Sequence, residues 1–165
     1  MKTRRTFLLL TMILTGCLFV NSGRTTTVPA GMPLFTLRLT NGAVFSYKEL
    51  QKNKAIMLIY FDPDCDHCRH FSKDLVNNIG KFKAAQIVMV SYYPLNNLKK
   101  FESEFGLNRF NNVKIGTEGN SFVIPKYFGI QKFPFIALYD KKFRLMETFR
   151  ESPGIEKLYS YASKW

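Results

Sequence analysis

Apolar positions along this chain keep two different rhythms. Residues 55–61 (Ala-Ile-Met-Leu-Ile-Tyr-Phe) are apolar without a break, the pattern of a strand buried on both faces. Asp62-Pro63-Asp64 ends that run, because Pro63 cannot continue a central strand. Beyond it the period lengthens. Phe71, Leu75 and Ile79 recur every four residues, one face of a helix expected over 65–79 and closed by Gly80. The strand-then-helix alternation continues with an apolar strand at 86–91 and a helix opened by Pro94 and stopped at Gly106. A short strand is expected at 113–115, then a helix capped by Ser121 and ending at Gly129, where Pro125 fits only in the first turn. Two further apolar runs, 134–139 and 143–149, flank Asp140-Lys141-Lys142 as a hairpin, and Ser152-Pro153 opens a last helix. In front of all this, 34–39 and 43–45 read as a hairpin around Asn41-Gly42, with Ser46 capping a short helix through Gln51. The pattern predicts an α/β sandwich around a mixed central sheet.

The N-terminal end follows neither rhythm. Lys2, Arg4 and Arg5 precede an apolar run at 7–14 that is too brief to define a membrane span by itself, which is the form of an export signal. Leu14-Thr15-Gly16-Cys17 then resembles the lipobox of bacterial lipoproteins. That resemblance implies lipidation of Cys17 and anchoring to a membrane. An uncleaved anchor, or a leader cut near Gly23 to leave a soluble periplasmic protein, stays open. The division expected is a signal peptide at 1–17, a flexible tether rich in Thr, Gly and Ser at 18–32, and one domain at 33–165.

Composition changes the picture in two places. The chain has 165 residues and an apolar fraction of 46%, so a domain of this length buries a core without disulfide staples, and its three cysteines form no stapling framework. The formal net charge is +12, with three of the charges on Lys2, Arg4 and Arg5. The remaining cations are scattered, as at Lys81, Lys83, Lys99, Lys100, Lys141 and Lys142, and no nucleic-acid motif accompanies them. A solvated basic surface near anionic lipid is the expectation, with no nucleic-acid partner.

The candidate chemistry lies where the buried strand hands over to the helix, at Cys65-Asp66-His67-Cys68. Thiol–disulfide exchange needs an attacking thiolate and a second thiol near enough to resolve the mixed disulfide. Cysteines three apart at a helix start put both sulfurs on one face, and the free N–H groups and positive dipole end there favour the thiolate of the first. Cys65 is therefore the expected nucleophile and Cys68 the resolving thiol. His67, when protonated, favours the Cys65 thiolate, whereas Asp62, Asp64 and Asp66 oppose it. His67, Asp64 and Asp66 are thus the expected tuners of the pair. A destabilised thiolate favours the disulfide, so the balance leans towards a reductant.

The strand at 55–61, the Cys65–Cys68 motif, the Phe133-Pro134 step and the closing hairpin together resemble a thioredoxin-like protein over about residues 34–165. The long gap from Cys65 to Pro134 and the leading hairpin are similar to the TlpA/ResA-like branch of exported thiol–disulfide oxidoreductases. The resemblance implies a three-layer thioredoxin-like sandwich with an insertion between the two motifs and no cofactor. It implies Pro134 as a cis-proline beside the cysteines, with the backbone of Phe133 pairing an extended substrate segment. A trans proline opening a strand is the alternative. It further implies protein dithiol or disulfide substrates, a membrane or soluble redox donor, and a monomer. Two departures are visible. The buried carboxylate that many thioredoxins carry six residues before the first cysteine is here Ile59, and the residue before the proline, usually small or β-branched, is the bulky Phe133.

Other classes fare worse. Cys65, His67, Cys68 and His70 offer thiolate and imidazole for copper or zinc, which keeps a metal-binding or delivery protein as the alternative, but no second ligand cluster closes a tetrahedron. Haem attachment fails because Arg69 stands where the histidine must be, and a peroxiredoxin pattern fails at Phe61. A non-catalytic binding module would have no use for both cysteines and the proline.

Overall fold

The computed structural model describes residues 31–165. The proposed leader, Cys17 and all but the end of the tether lie outside the described residues. The central strand β3 (Ala55–Tyr60) is buried at every position. Its alternate residues divide between two cores: Met57 and Ile59, continued by Phe61, face one, while Ile56, Leu58 and Tyr60 face the other. A continuous apolar run is what a strand with no solvent face requires.

Strand β4 (Ala85–Ser91) lies parallel to β3, and β5 (Val113–Thr117) parallel to β4. On the other side β6 (Phe135–Tyr139) runs antiparallel to β3 and forms a hairpin with β7 (Leu145–Phe149). The leading hairpin, β1 (Thr36–Leu39) and β2 (Val44–Ser46), extends the sheet by pairing β1 antiparallel to β5. The result is an open seven-stranded mixed sheet in the order β2-β1-β5-β4-β3-β6-β7. Gly116 makes the β1–β5 junction possible, since a Cβ there would sit 2.8 Å from the Arg38 carbonyl oxygen.

Helices cover both faces. Phe71 and Leu75 of α1 (Asp66–Asn77), Leu98 and Phe101 of α2 (Leu95–Phe105) and Leu158 of α4 (Ile155–Ala162) fill the first core. Ile124 and Phe128 of α3 (Val123–Phe128) close the second, with Phe35 and Leu37. Helix α2 ends as expected at Gly106, whose φ of 62° gives the left-handed turn a side chain would resist. No helix among the described residues is long and apolar enough to cross a membrane.

Several local expectations are corrected. Helix α1 ends at Asn78, not Gly80: the Asn78 N–H donates to Asp74 O, and the chain tightens into a 3-10 turn over Ile79–Phe82. Ser46 does cap, but it opens only one 3-10 turn, Tyr47–Glu49, whose Glu49 carboxylate accepts the Ser46 N–H. Ser121 does not cap α3. The buried Glu118 takes that part, with Oε2 accepting the Ile124 N–H at 3.2 Å, while Ser121 Oγ turns back to Glu118 O. Strand β7 starts at Leu145 instead of Phe143, because Asp140 gathers the Lys142 and Arg144 N–H groups and Phe143 takes a left-handed φ of 61°.

Candidate active site

The turn after β3 sets the site. Asp62 Oδ1 accepts the Asp64 N–H at 2.8 Å and Asp62 O accepts the Cys65 N–H at 3.2 Å, so the chain reverses within three residues. Cys65 then occupies the N-cap of α1 in an extended conformation, φ −80° and ψ 122°, and its carbonyl accepts the Arg69 N–H as the first helical bond. Its side chain makes no capping bond and is half-exposed. Sulfur placed there, beside the helix's free N–H groups, suits a reactive thiolate.

Cys68 is one turn further on and wholly buried in the first core. Both cysteines are free thiols. Burial pushes the Cys68 thiol up, since ionising it would place a charge among apolar side chains. The Asp62 backbone N–H partly offsets this, while the facing Cys65 sulfur and the Asp62 carboxylate add to it. The two thiols are therefore unlike: one at the surface on a helix cap, one buried and held protonated.

Asp62 counts in the sequence among the three carboxylates that oppose the Cys65 thiolate, but not among the expected tuners of the pair. It is half-buried, and its Oδ2 accepts a hydrogen bond from the Tyr92 hydroxyl at 3.3 Å. Burial together with the Asp62 charge raises both the Tyr92 and the Tyr93 phenols. Asp64 and Asp66, the expected tuners, are exposed, and Asp62 is the aspartate that bears on Cys68. The signal for Asp62 was its place at the end of a buried strand, where a carboxylate cannot turn freely to solvent.

The Phe133–Pro134 peptide is cis. Pro134 is buried and Phe133 half-buried, packed against both cores. The bulk of Phe133 fits an aromatic group, with ring centres 5.9 Å from Tyr60 and 6.4 Å from Tyr92. A groove of about 570 Å3 brings Phe133 and Pro134 together with His67, His70, Lys132 and Arg150. The structure thus gathers His67, Phe133 and Pro134 at one opening and leaves Asp64 in a separate cleft with Arg69, Lys100 and Glu104. Among the described residues no group of three or more His, Cys, Asp or Glu is placed to hold a metal ion.

A mixed sheet with helices on both faces, a half-exposed cysteine capping the helix after the central strand and a cis-proline before β6 make up the thioredoxin-like fold, and the chain has it. The N-terminal hairpin and the segment inserted between the two motifs elaborate it as expected. By sequence, no family model and no curated protein matches the chain. Solved structures do. A secreted disulfide oxidoreductase of Mycobacterium tuberculosis, homologous to E. coli DsbE, is 17% identical over 80% of this chain and 96% of its own, with a TM-score of 0.66. MTB dsbF, in mixed oxidized and reduced forms, is 17% identical over 84% and 98%, with a TM-score of 0.69. Arabidopsis thaliana ScoI with copper bound is 16% identical over 82% and 97%, with a TM-score of 0.65.

Proposed function

We propose that this protein is a thiol–disulfide oxidoreductase acting on extracytoplasmic protein disulfides as a reductant, held to a membrane through lipid on Cys17. The observation that carries the reading is the asymmetry of the pair: Cys65 half-exposed at a helix N-cap, Cys68 buried and protonated one turn below. The Cys65 thiolate attacks one sulfur of a substrate disulfide, and the other substrate sulfur leaves as a thiolate. Cys68 then gives up its proton and attacks Cys65 Sγ. The second substrate thiol departs, leaving a Cys65–Cys68 disulfide and a substrate reduced by two electrons. A dithiol donor must restore the pair.

Resolution requires a proton acceptor for a thiol that burial holds protonated. Asp62, whose carboxylate acts on Cys68 and is steadied by Tyr92, fits that task where Ile59 cannot. The substrate segment pairs with the Phe133 backbone beside Pro134, as a strand added to the domain. His67, on the groove, favours the attacking thiolate when protonated. The lipid anchor rests on the Leu14–Cys17 motif and the basic, apolar leader before it.

Replacing Cys68 with Ser tests the reading. The variant should hold a covalent Cys65–substrate adduct, visible on a non-reducing gel and released by dithiothreitol. Turnover of insulin disulfides at the wild-type rate by Cys68→Ser would refute the two-thiol mechanism.

A further inference from the structure

The cations that look scattered along the sequence are not scattered around the site. Lys132 and Arg150 line the groove beside Pro134, and both continue into an adjoining groove of about 460 Å3 that reaches Lys157. Arg150 is fixed there: its Nη1 donates to Gly129 O at 3.0 Å and its Nη2 to Phe128 O at 3.4 Å, partners that carry no formal charge. Lys157 Nζ lies 5.5 Å over the Phe149 ring. The ion pairs of the described residues are Arg69–Glu104, Lys81–Glu156 and Arg144–Asp140, so all three groove cations are free of carboxylate partners. Glu151 is the one carboxylate in the walls of the two grooves. Both grooves follow the end of β7, an edge strand of the sheet.

The turn that carries Cys65 is acidic in sequence, although Asp64 shares its cleft with Arg69, Lys100 and Glu104. Asp64 and Asp66 are exposed there, and Asp62 closes the turn. The residues on either side of Cys65 in the chain are thus acidic, while the groove that runs from Pro134 is basic. We infer that the preferred substrate is a protein disulfide with an acidic segment flanking the attacked cysteine, and that the groove from Pro134 past Lys132 and Arg150 to Lys157 receives that segment. This rests on the proposed oxidoreductase reading and names the substrate class for the same site. The basic wall attracts the acidic segment, and the exposed Asp64 and Asp66 beside Cys65 disfavour it there, so one orientation is favoured over the reverse. Phe133, at the start of the groove, adds an apolar surface for the residue next to the cysteine.

The test uses the full chain and three peptide disulfides of equal length, whose flanking residues are Glu, Gln or Lys. Each exposed charge pair contributes a few-fold at most, so the Glu peptide should exceed the Gln peptide in kcat/KM by about tenfold at low salt. The advantage should shrink to about twofold at ~0.5 M salt, where screening acts within roughly 4–5 Å. In Lys132→Glu/Lys157→Glu the ratio of the Glu to the Gln peptide, taken on one preparation, should fall below one. Equal rates for all three peptides in the wild type would overturn the inference while leaving the oxidoreductase reading standing. Failure to reduce any of them would take down both. The double variant could also lose binding to vesicles of anionic lipid while keeping the wild-type peptide ratio. That result would assign the cations to a membrane surface and overturn the inference.

Discussion

Alkali should unfold the dithiol form of this protein through one buried sulfur. Cys68 is wholly buried, and burial raises its thiol above the ordinary range. In the unfolded chain the same thiol ionises near pH ~8.5. The folded state thus keeps a proton that the unfolded state releases, and the stability this confers is fully present below about pH 8.5 and lost as the pH rises beyond it. One proton of difference corresponds to ~1.4 kcal/mol for each pH unit, so roughly 2 kcal/mol should go between pH ~8.5 and ~10. Above that range the buried phenols of Tyr60 and Tyr139, also raised by burial, add losses of the same sign. Urea unfolding under a phosphine reductant, wild type against Cys68→Ala, isolates the thiol. The packing lost with the sulfur costs an amount that does not vary with pH, so the difference in slope reports the thiol's ionisation alone. Parallel pH profiles for the two proteins would mean that Cys68 ionises freely in the fold and that the asymmetry of the pair is wrong.

Three other outcomes are expected. Asp62→Asn should slow resolution of the mixed disulfide by about 100-fold at neutral pH, with the deficit narrowing in alkali; an unchanged rate of adduct decay in a stopped-flow trace would remove Asp62 as proton acceptor. Gly116→Ala should cost about 1–3 kcal/mol, because its Cβ meets the Arg38 carbonyl oxygen at 2.8 Å and backbone yields little; a wild-type urea midpoint would show that β1 can shift away freely. Glu118→Ala should cost about 1–2 kcal/mol through loss of the cap on the Ile124 N–H, and equal thermal stability would show that another acceptor replaces it.

The strand at 55–61 and the helix after it were legible because burial on both faces leaves a continuous apolar run and Pro63 marks its end. Of three helix stops that depended on one glycine's backbone preference, Gly129 meets its expectation with a left-handed φ of 61°, and the other two divide. Gly106 adopts its left-handed turn, whereas Gly80 is bypassed because the α1 carbonyls are already met by Asn78. The cap of α3 was out of reach of local reasoning, since Glu118 reaches Ile124 over six residues and competes with the nearer Ser121. Strand order was equally hidden: no periodicity says that β1 pairs with β5. At the site, the cysteines and the proline could be named from spacing and resemblance, but which aspartate turns inward could not. The clustering of Lys132, Arg150 and Lys157 depends on the hairpin that brings 150 beside 132.

The described chain begins far from its cysteines. The Gly31 carbonyl accepts from the Tyr139 hydroxyl, and Tyr139 pairs with Ile56 at the entry end of β3. Met32 packs into the core on the face away from α1, whereas Cys65 lies beyond the exit end of the same strand, some six residues or about 20 Å along. The described chain therefore joins the domain at the end of the sheet opposite to Cys65. A large folded partner that meets the Cys65 sulfur and the groove beside Pro134 can therefore dock without displacing Gly31 or Met32 from their places on the sheet.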